Sequence, residues 1–143
     1  MGRSRGGLTT KIHALVNELG LPIRFHLTSG QDHDAPVCRV LLDSLQPGQS
    51  VLADKAYDAG WIRNMIWEQG AADVIPSKSN RKVAQEFNAE LYKQRNLIER
   101  FFGTLKASFR RIATRYEKTS ENFMAMIKLA AIRLWCRFYE SAA

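Results

Sequence analysis

Polar and apolar residues alternate from Thr10 to Val16, with Ile12, Ala14 and Val16 on one face, and again from Pro22 to Thr28, with Ile23, Phe25 and Leu27 on one face. Asn17 to Leu21, which includes Gly20, supplies a turn between them, so the two runs predict a β-hairpin. His13 and His26 lie opposite the apolar sets and read as cross-strand surface residues in preference to a shared metal site. Beyond the hairpin the spacing changes. Asp34 predicts an N-cap, with Ala35 and Pro36 in the first turn of a helix burying Val37, Val40, Leu41 and Leu45 and ending at Pro47 and Gly48. Asp32, His33 and Asp34 are metal-binding residue types, but this capping role accounts for them more simply.

Val51, Leu52 and Ala53 read as a short buried strand with Asp54 at its carboxyl end, where open α/β sheets place their ligand sites. Asp58 then predicts the N-cap of a helix with Trp61, Ile62, Met65 and Ile66 inward, closed by Gly70 and followed by a short strand at Val74 to Pro76. Strand, strand, helix, strand, helix, strand, helix is the order of an α/β fold. Lys78, Arg81 and Lys82 sit in the next polar stretch, which suits either a loop over a DNA backbone or an ordinary solvated loop.

The longest apolar pattern follows. Ile98, Phe101, Phe102, Leu105 and Phe109 recur at helical steps and predict one helix, with Asn88 as its N-cap and Phe87 packing on Tyr92 across the cap. At about 100° per residue, Tyr92, Arg95, Glu99 and Lys106 form a second stripe beside the buried one. A partly desolvated Glu99 there suits a metal ligand, and the flanking cations suit phosphate. The plainer reading is a solvated face with an Arg95–Glu99 pair worth a few tenths of a kcal/mol. Arg110, Arg111 and Arg115, flanked by Phe109 and Tyr116, combine phosphate neutralisation with residues that can stack on bases. A last helix from Ser120 to Phe138 would bury Phe123, Ile127, Ala130, Ala131, Leu134 and Trp135.

Charge sharpens this picture. The 143 residues carry 21 Lys and Arg against 14 Asp and Glu, a net +7 that favours a polyanionic partner, and their 45% hydrophobic content permits one modest core. Cys38 and Cys136 lie far apart and without metal spacing, so neither a disulfide framework nor a zinc site is indicated, and a reducing cytoplasm fits. Lys128 and Arg133 interrupt the apolar run near Leu129, so no membrane span is expected.

Tyr92, Arg95, Glu99 and Lys106, separated by two, three and six residues, resemble the signature of bacterial insertion-sequence transposases of the DDE class. The wording from Asn96 to Phe102 and from Arg110 to Tyr116 is similar to that of the insertion-sequence-five group. The run Ala53-Asp54-Lys55-Ala56-Tyr57-Asp58 resembles the motif of the family's second catalytic aspartate, with Ala56 where glycine is usual.

The resemblance implies a ribonuclease H-like α/β fold, a mixed sheet flanked by helices. Residues 1–143 would form a single, incomplete catalytic domain lacking the first, central strand and the aspartate on it. It implies Asp54 and Glu99 as catalytic metal ligands, with two Mg2+ ions in the complete enzyme. Tyr92, Arg95, Lys106, Arg110, Arg111 and Arg115 would hold the double-stranded DNA of transposon ends. It further implies an upstream transposase polypeptide, separate or joined by frameshifting, admits a homodimer, and leaves this chain inert alone. The reading from another class is a non-catalytic DNA-binding or regulatory fragment of a transposase.

Overall fold

The structure is a computed structural model that describes residues 2–4, 7–114 and 119–143. Its strands are β1 (Gly2–Ser4), β2 (Gly7–Val16), β3 (Pro22–Ser29), β4 (Ser50–Leu52) and β5 (Ala72–Val74). Its helices are α1 (Cys38–Leu41), α2 (Gly60–Glu68), α3 (Ala89–Tyr92), α4 (Asn96–Ser108), α5 (Arg110–Ala113) and α6 (Ser120–Ala142). Single 3-10 turns at Ala35–Val37, Lys55–Tyr57 and Lys93–Arg95 precede α1, α2 and α4. The chain is therefore mixed α/β. Its described strands form two small sheets, β1-β2-β3 and β4-β5, and not the one mixed sheet the sequence suggested.

Two compact units form. Met1–His13 with Thr28–Asn96 make the first, and Ala14–Leu27 with Leu97–Ala143 make the second. The expected hairpin is β2 and β3, and Asn17 builds its turn by accepting the Leu19 and Leu21 N–H groups on Oδ1, both at 3.0 Å. Gly20 takes φ +76° there, a conformation that glycine adopts at little cost. An additional strand, β1, pairs antiparallel with β2 from Gly2↔Thr9 to Ser4↔Gly7.

In the first unit β4 and β5 run parallel, Val51 opposite Asp73, with α2 as the crossover. Ile62 and Ile66 of α2 are fully buried, and Val37, Cys38, Leu41, Leu42, Val51, Val74 and Ile75 complete the apolar set. Burial pushes the Cys38 thiol up to about 12, which leaves it a small hydrophobe without thiolate reactivity. Gln69 closes the helix end by donating to the Leu42 and Met65 carbonyls and accepting from Leu45 N–H.

Four expectations are corrected here. Val40 is 43% exposed and Leu42 buried in its place, because a 3-10 turn precedes the single α turn and shifts the helical phase. Asp34 occupies the cap position without a capping bond, because its carboxylate pairs with Lys11 at 2.9 Å. His13 is buried, not surface-facing, since its Nε2 shares a 2.8 Å hydrogen bond with Thr28 Oγ1. Trp61 is turned outward and covered by the Arg39 guanidinium 4.9 Å from its ring.

In the second unit α4 and α6 bury Phe101, Leu105, Phe123, Ile127, Ala130 and Ala131. Phe25 packs on Phe101 with ring centroids 5.9 Å apart, and the Trp135 indole N–H donates to the Pro22 carbonyl at 2.8 Å. These contacts fasten the hairpin end to the helices over a long sequence separation. Thr119 caps α6 by accepting from Asn122 N–H, and the helix runs to Ala142, past the expected Phe138.

Candidate catalytic site

Asp54 leaves β4 in extended conformation, with ψ 173°, and begins the 3-10 turn. Its Oδ1 accepts the Ala56 N–H at 2.8 Å, and its carbonyl accepts the Tyr57 N–H at 3.0 Å. Alanine fits where glycine is usual, because a 3-10 turn demands no positive φ. One carboxylate oxygen is thereby fixed, while Oδ2 has no partner among the described residues. A half-buried carboxylate held this way suits monodentate ligation of a hard divalent ion. Tyr57 lies beside it. Burial first, then the negative charge of Asp34, that of Cys38 once it ionises at high pH, and that of Asp54, raise the Tyr57 phenol and keep it protonated.

Asp58, four residues on, is not the N-cap of α2, which is Ala59. Its buried carboxylate takes Arg63 Nη2 on Oδ1 at 2.8 Å, Arg81 Nη2 on Oδ1 at 2.8 Å and the Lys78 N–H on Oδ2 at 2.7 Å. Arg63 also reaches Asp73 and the Ile75 carbonyl, and the Trp67 indole donates to Asp73. Burial pushes the Asp58 carboxyl up. The hydrogen bonds from Arg81, Lys78 and Arg63, with the Arg63 charge, outweigh that and hold it far below the ordinary carboxylate range. Both oxygens are thus occupied, so Asp58 has no room for a metal. Arg81 is equally committed and is no longer a free cation for the DNA backbone, whereas Lys78 and Lys82 are exposed.

Asn88 caps α3 as expected by accepting the Leu91 N–H at 3.0 Å, and Phe87 meets the Tyr92 ring edge-on at 5.4 Å. Replacing Asn88 by Ala removes the cap bond and is expected to cost about 1 kcal/mol, read as a lowered urea midpoint at unchanged slope. The Arg95 guanidinium lies 5.6 Å from the Tyr92 ring, a cation over an aromatic face that keeps both half-buried.

Glu99 lies in the first turn of α4 and Lys106 in its last, an arrangement the helix dipole favours at both ends. They stand two turns apart on one face, about 10 Å along the axis. Contrary to expectation Glu99 is exposed, because α4 turns inward mainly Phe101 and Leu105, more than a quarter-turn away. The 3-10 turn at Lys93–Arg95 divides what the spacing predicted as one regular helix. Arg110 and Arg111 are exposed on α5, which buries Ile112, and Arg115 lies outside the described residues. Among the described residues no three His, Cys, Asp or Glu side chains gather into a metal-binding group.

An acid fixed at a strand end, and a basic helical segment in which Arg95 lies over the Tyr92 ring, are residue types that suit a nucleic-acid-processing protein of mixed α/β class. The chain belongs to the transposase DDE domain family, whose profile matches residues 2–135. Over 131 residues it is 40% identical to a Brucella ovis protein assigned to insertion sequence element IS6501 as its candidate transposase, covering 91% of this chain and 100% of that protein. Over 105 residues it is 32% identical to the Neisseria meningitidis serogroup B transposase for insertion sequence element IS1106. That match spans 70% of this chain but only 36% of the meningococcal protein. No solved structure matches. Family membership assigns the chain a role in DNA transposition, and domains of this family generally use divalent metal ions. No described helix is long and apolar enough to cross a membrane.

Proposed function

We propose that the chain supplies the second aspartate, Asp54, and the glutamate, Glu99, of a DDE transposase of the insertion-sequence-five group. Its ribonuclease H-like catalytic domain is completed by an upstream polypeptide, separate or frameshift-fused, that brings the first aspartate. The observation that carries this reading is Asp54 itself, fixed through Oδ1 and without a partner at Oδ2 among the described residues, at the carboxyl end of a parallel strand. An all-carboxylate donor set favours Mg2+, which would activate the attacking water or 3′-hydroxyl and stabilise the leaving oxygen. The chain's own work is to ligate through Asp54 and Glu99 and to grip the transposon-end duplex. Tyr92, Arg95, Lys106, Arg110, Arg111 and Arg115 provide that grip.

The test is reconstitution on transposon-end DNA. The chain alone with Mg2+ leaves the duplex intact, and the chain with the upstream polypeptide nicks it. DNA binding without metal-dependent nicking in the reconstituted pair would assign the chain instead to a regulatory, non-catalytic role. Lys106→Ala is expected to weaken DNA binding evenly across sequences and to reduce the slope of log K against log salt by about 0.9. An unchanged slope in a salt titration would remove Lys106 from the interface.

A further inference from the structure

Helix α6 carries a second apolar stripe that the fold does not use. Its buried face is Phe123, Ile127, Ala130 and Ala131, whereas Leu129, Ile132 and Tyr139 are 61, 58 and 64% exposed. Ala125 and Cys136 are exposed as well. Residues 125, 129, 132, 136 and 139 follow alternating steps of four and three, the heptad spacing of a coiled-coil seam. At about 100° per residue they centre roughly opposite the buried face. Tyr139 is held ready for contact, stacked on Trp135 at 6.0 Å and edge-on to Phe138 at 5.8 Å. Trp135 is in turn fixed through its indole N–H to Pro22.

We infer that this stripe is a self-association surface on which α6 pairs antiparallel with α6 of a second copy of the chain. The flanking charges select both the partner and the register. Arg133 and Glu140 border the seam on one side, and neither has an ion-pair partner among the described residues. If Leu129 meets the partner's Tyr139 and Ile132 meets the partner's Cys136, Arg133 faces the partner's Glu140, and the two-fold axis makes this pair twice. Sliding the helices one heptad either way sets Arg133 against the partner's Arg133, or Glu140 against the partner's Glu140. A parallel seam sets Lys128 beside the partner's Arg133 on both sides. Only the first arrangement joins opposite charges while burying Leu129, Ile132 and Tyr139 together with Cys136.

Charge exchange tests this directly on the full chain by sedimentation. Wild type is expected to dimerise. Arg133→Glu alone and Glu140→Arg alone each weaken the dimer by at least about tenfold, and the double exchange restores it. Disulfide trapping in the soluble fraction reads the same geometry. Oxidised wild type should give no covalent dimer, because the two Cys136 Cα atoms lie about 10 Å apart across the antiparallel axis, beyond disulfide reach. Ile132→Cys with Cys136 retained should cross-link, and Ile132→Cys with Cys136→Ser should not. A wild type that stays monomeric at its highest soluble concentration, a tighter dimer in Arg133→Glu, or direct Cys136 cross-linking would each overturn the inference.

Discussion

Glu99→Gln, placed in the reconstituted enzyme, is expected to abolish strand cleavage while leaving affinity for transposon-end DNA within about twofold. Gln keeps the length and shape of the side chain but removes the anionic oxygen that a hard divalent ion requires. Losing one ligand of a phosphoryl-transfer site should lower the cleavage rate on the order of a thousandfold, about 4 kcal/mol of barrier. Affinity is spared because Glu99 repels phosphate, so neutralising it removes no attraction. Asp54→Asn should behave alike. Its retained oxygen can still accept the Ala56 N–H, so the turn survives and the defect stays chemical. Single-turnover cleavage beside a binding titration separates these outcomes, and equal loss of binding and cleavage would contradict the proposed roles.

The hairpin, α2, the Asn88 cap and α6 were legible because each follows from a local rule: alternation, helical spacing, or a side chain satisfying backbone groups a few residues away. Asp54 at a strand end was legible for the same reason. What escaped is what distant partners decide. His13 looked solvent-facing until Thr28, 15 positions on, supplied a hydrogen bond that permits burial. Asp58 looked like a cap because a cap and a buried ion-pair acceptor are the same residue type in the same kind of turn. Arg63 passed unremarked beside Ile62 and Ile66. The available signal was a cation at the edge of an inward stripe with Asp58 and Asp73 on either side in sequence. The exposed seam of α6 was hidden in another way. A helix apolar on two opposite faces has little net periodicity, and only the buried face, once known, separates the two stripes.

The Asp58–Arg63–Asp73–Arg81 cluster should dominate the stability of the first unit. The Arg63 and Asp58 side chains are 2% and 1% exposed, so both charges depend on each other in place of water. Asp58→Asn leaves the Arg63 charge buried with Asp73 as its remaining carboxylate partner, and Arg63→Met leaves the Trp67 indole as the side-chain hydrogen-bond donor to Asp73 among the described residues. Each is expected to cost about 3 to 5 kcal/mol, a drop in melting temperature on the order of ten degrees. Because the folded-state pKa of Asp58 is depressed, its contribution is complete above the unfolded value of about 4 and is lost as pH falls below it. Wild type should therefore lose stability steadily below about pH 4, while Asp58→Asn, already lower, follows a flatter curve. Arg81→Ala should act differently, since it spares the Asp58–Arg63 pair and removes the tie between Asp58 and the segment from Ser77 to Asn88. The unit should stay folded while trypsin cleaves faster at Lys78 and Lys82. Unchanged proteolysis would show that the Lys78 N–H bond to Asp58 and the Gln85 N–H bond to Ser77 hold that segment without Arg81.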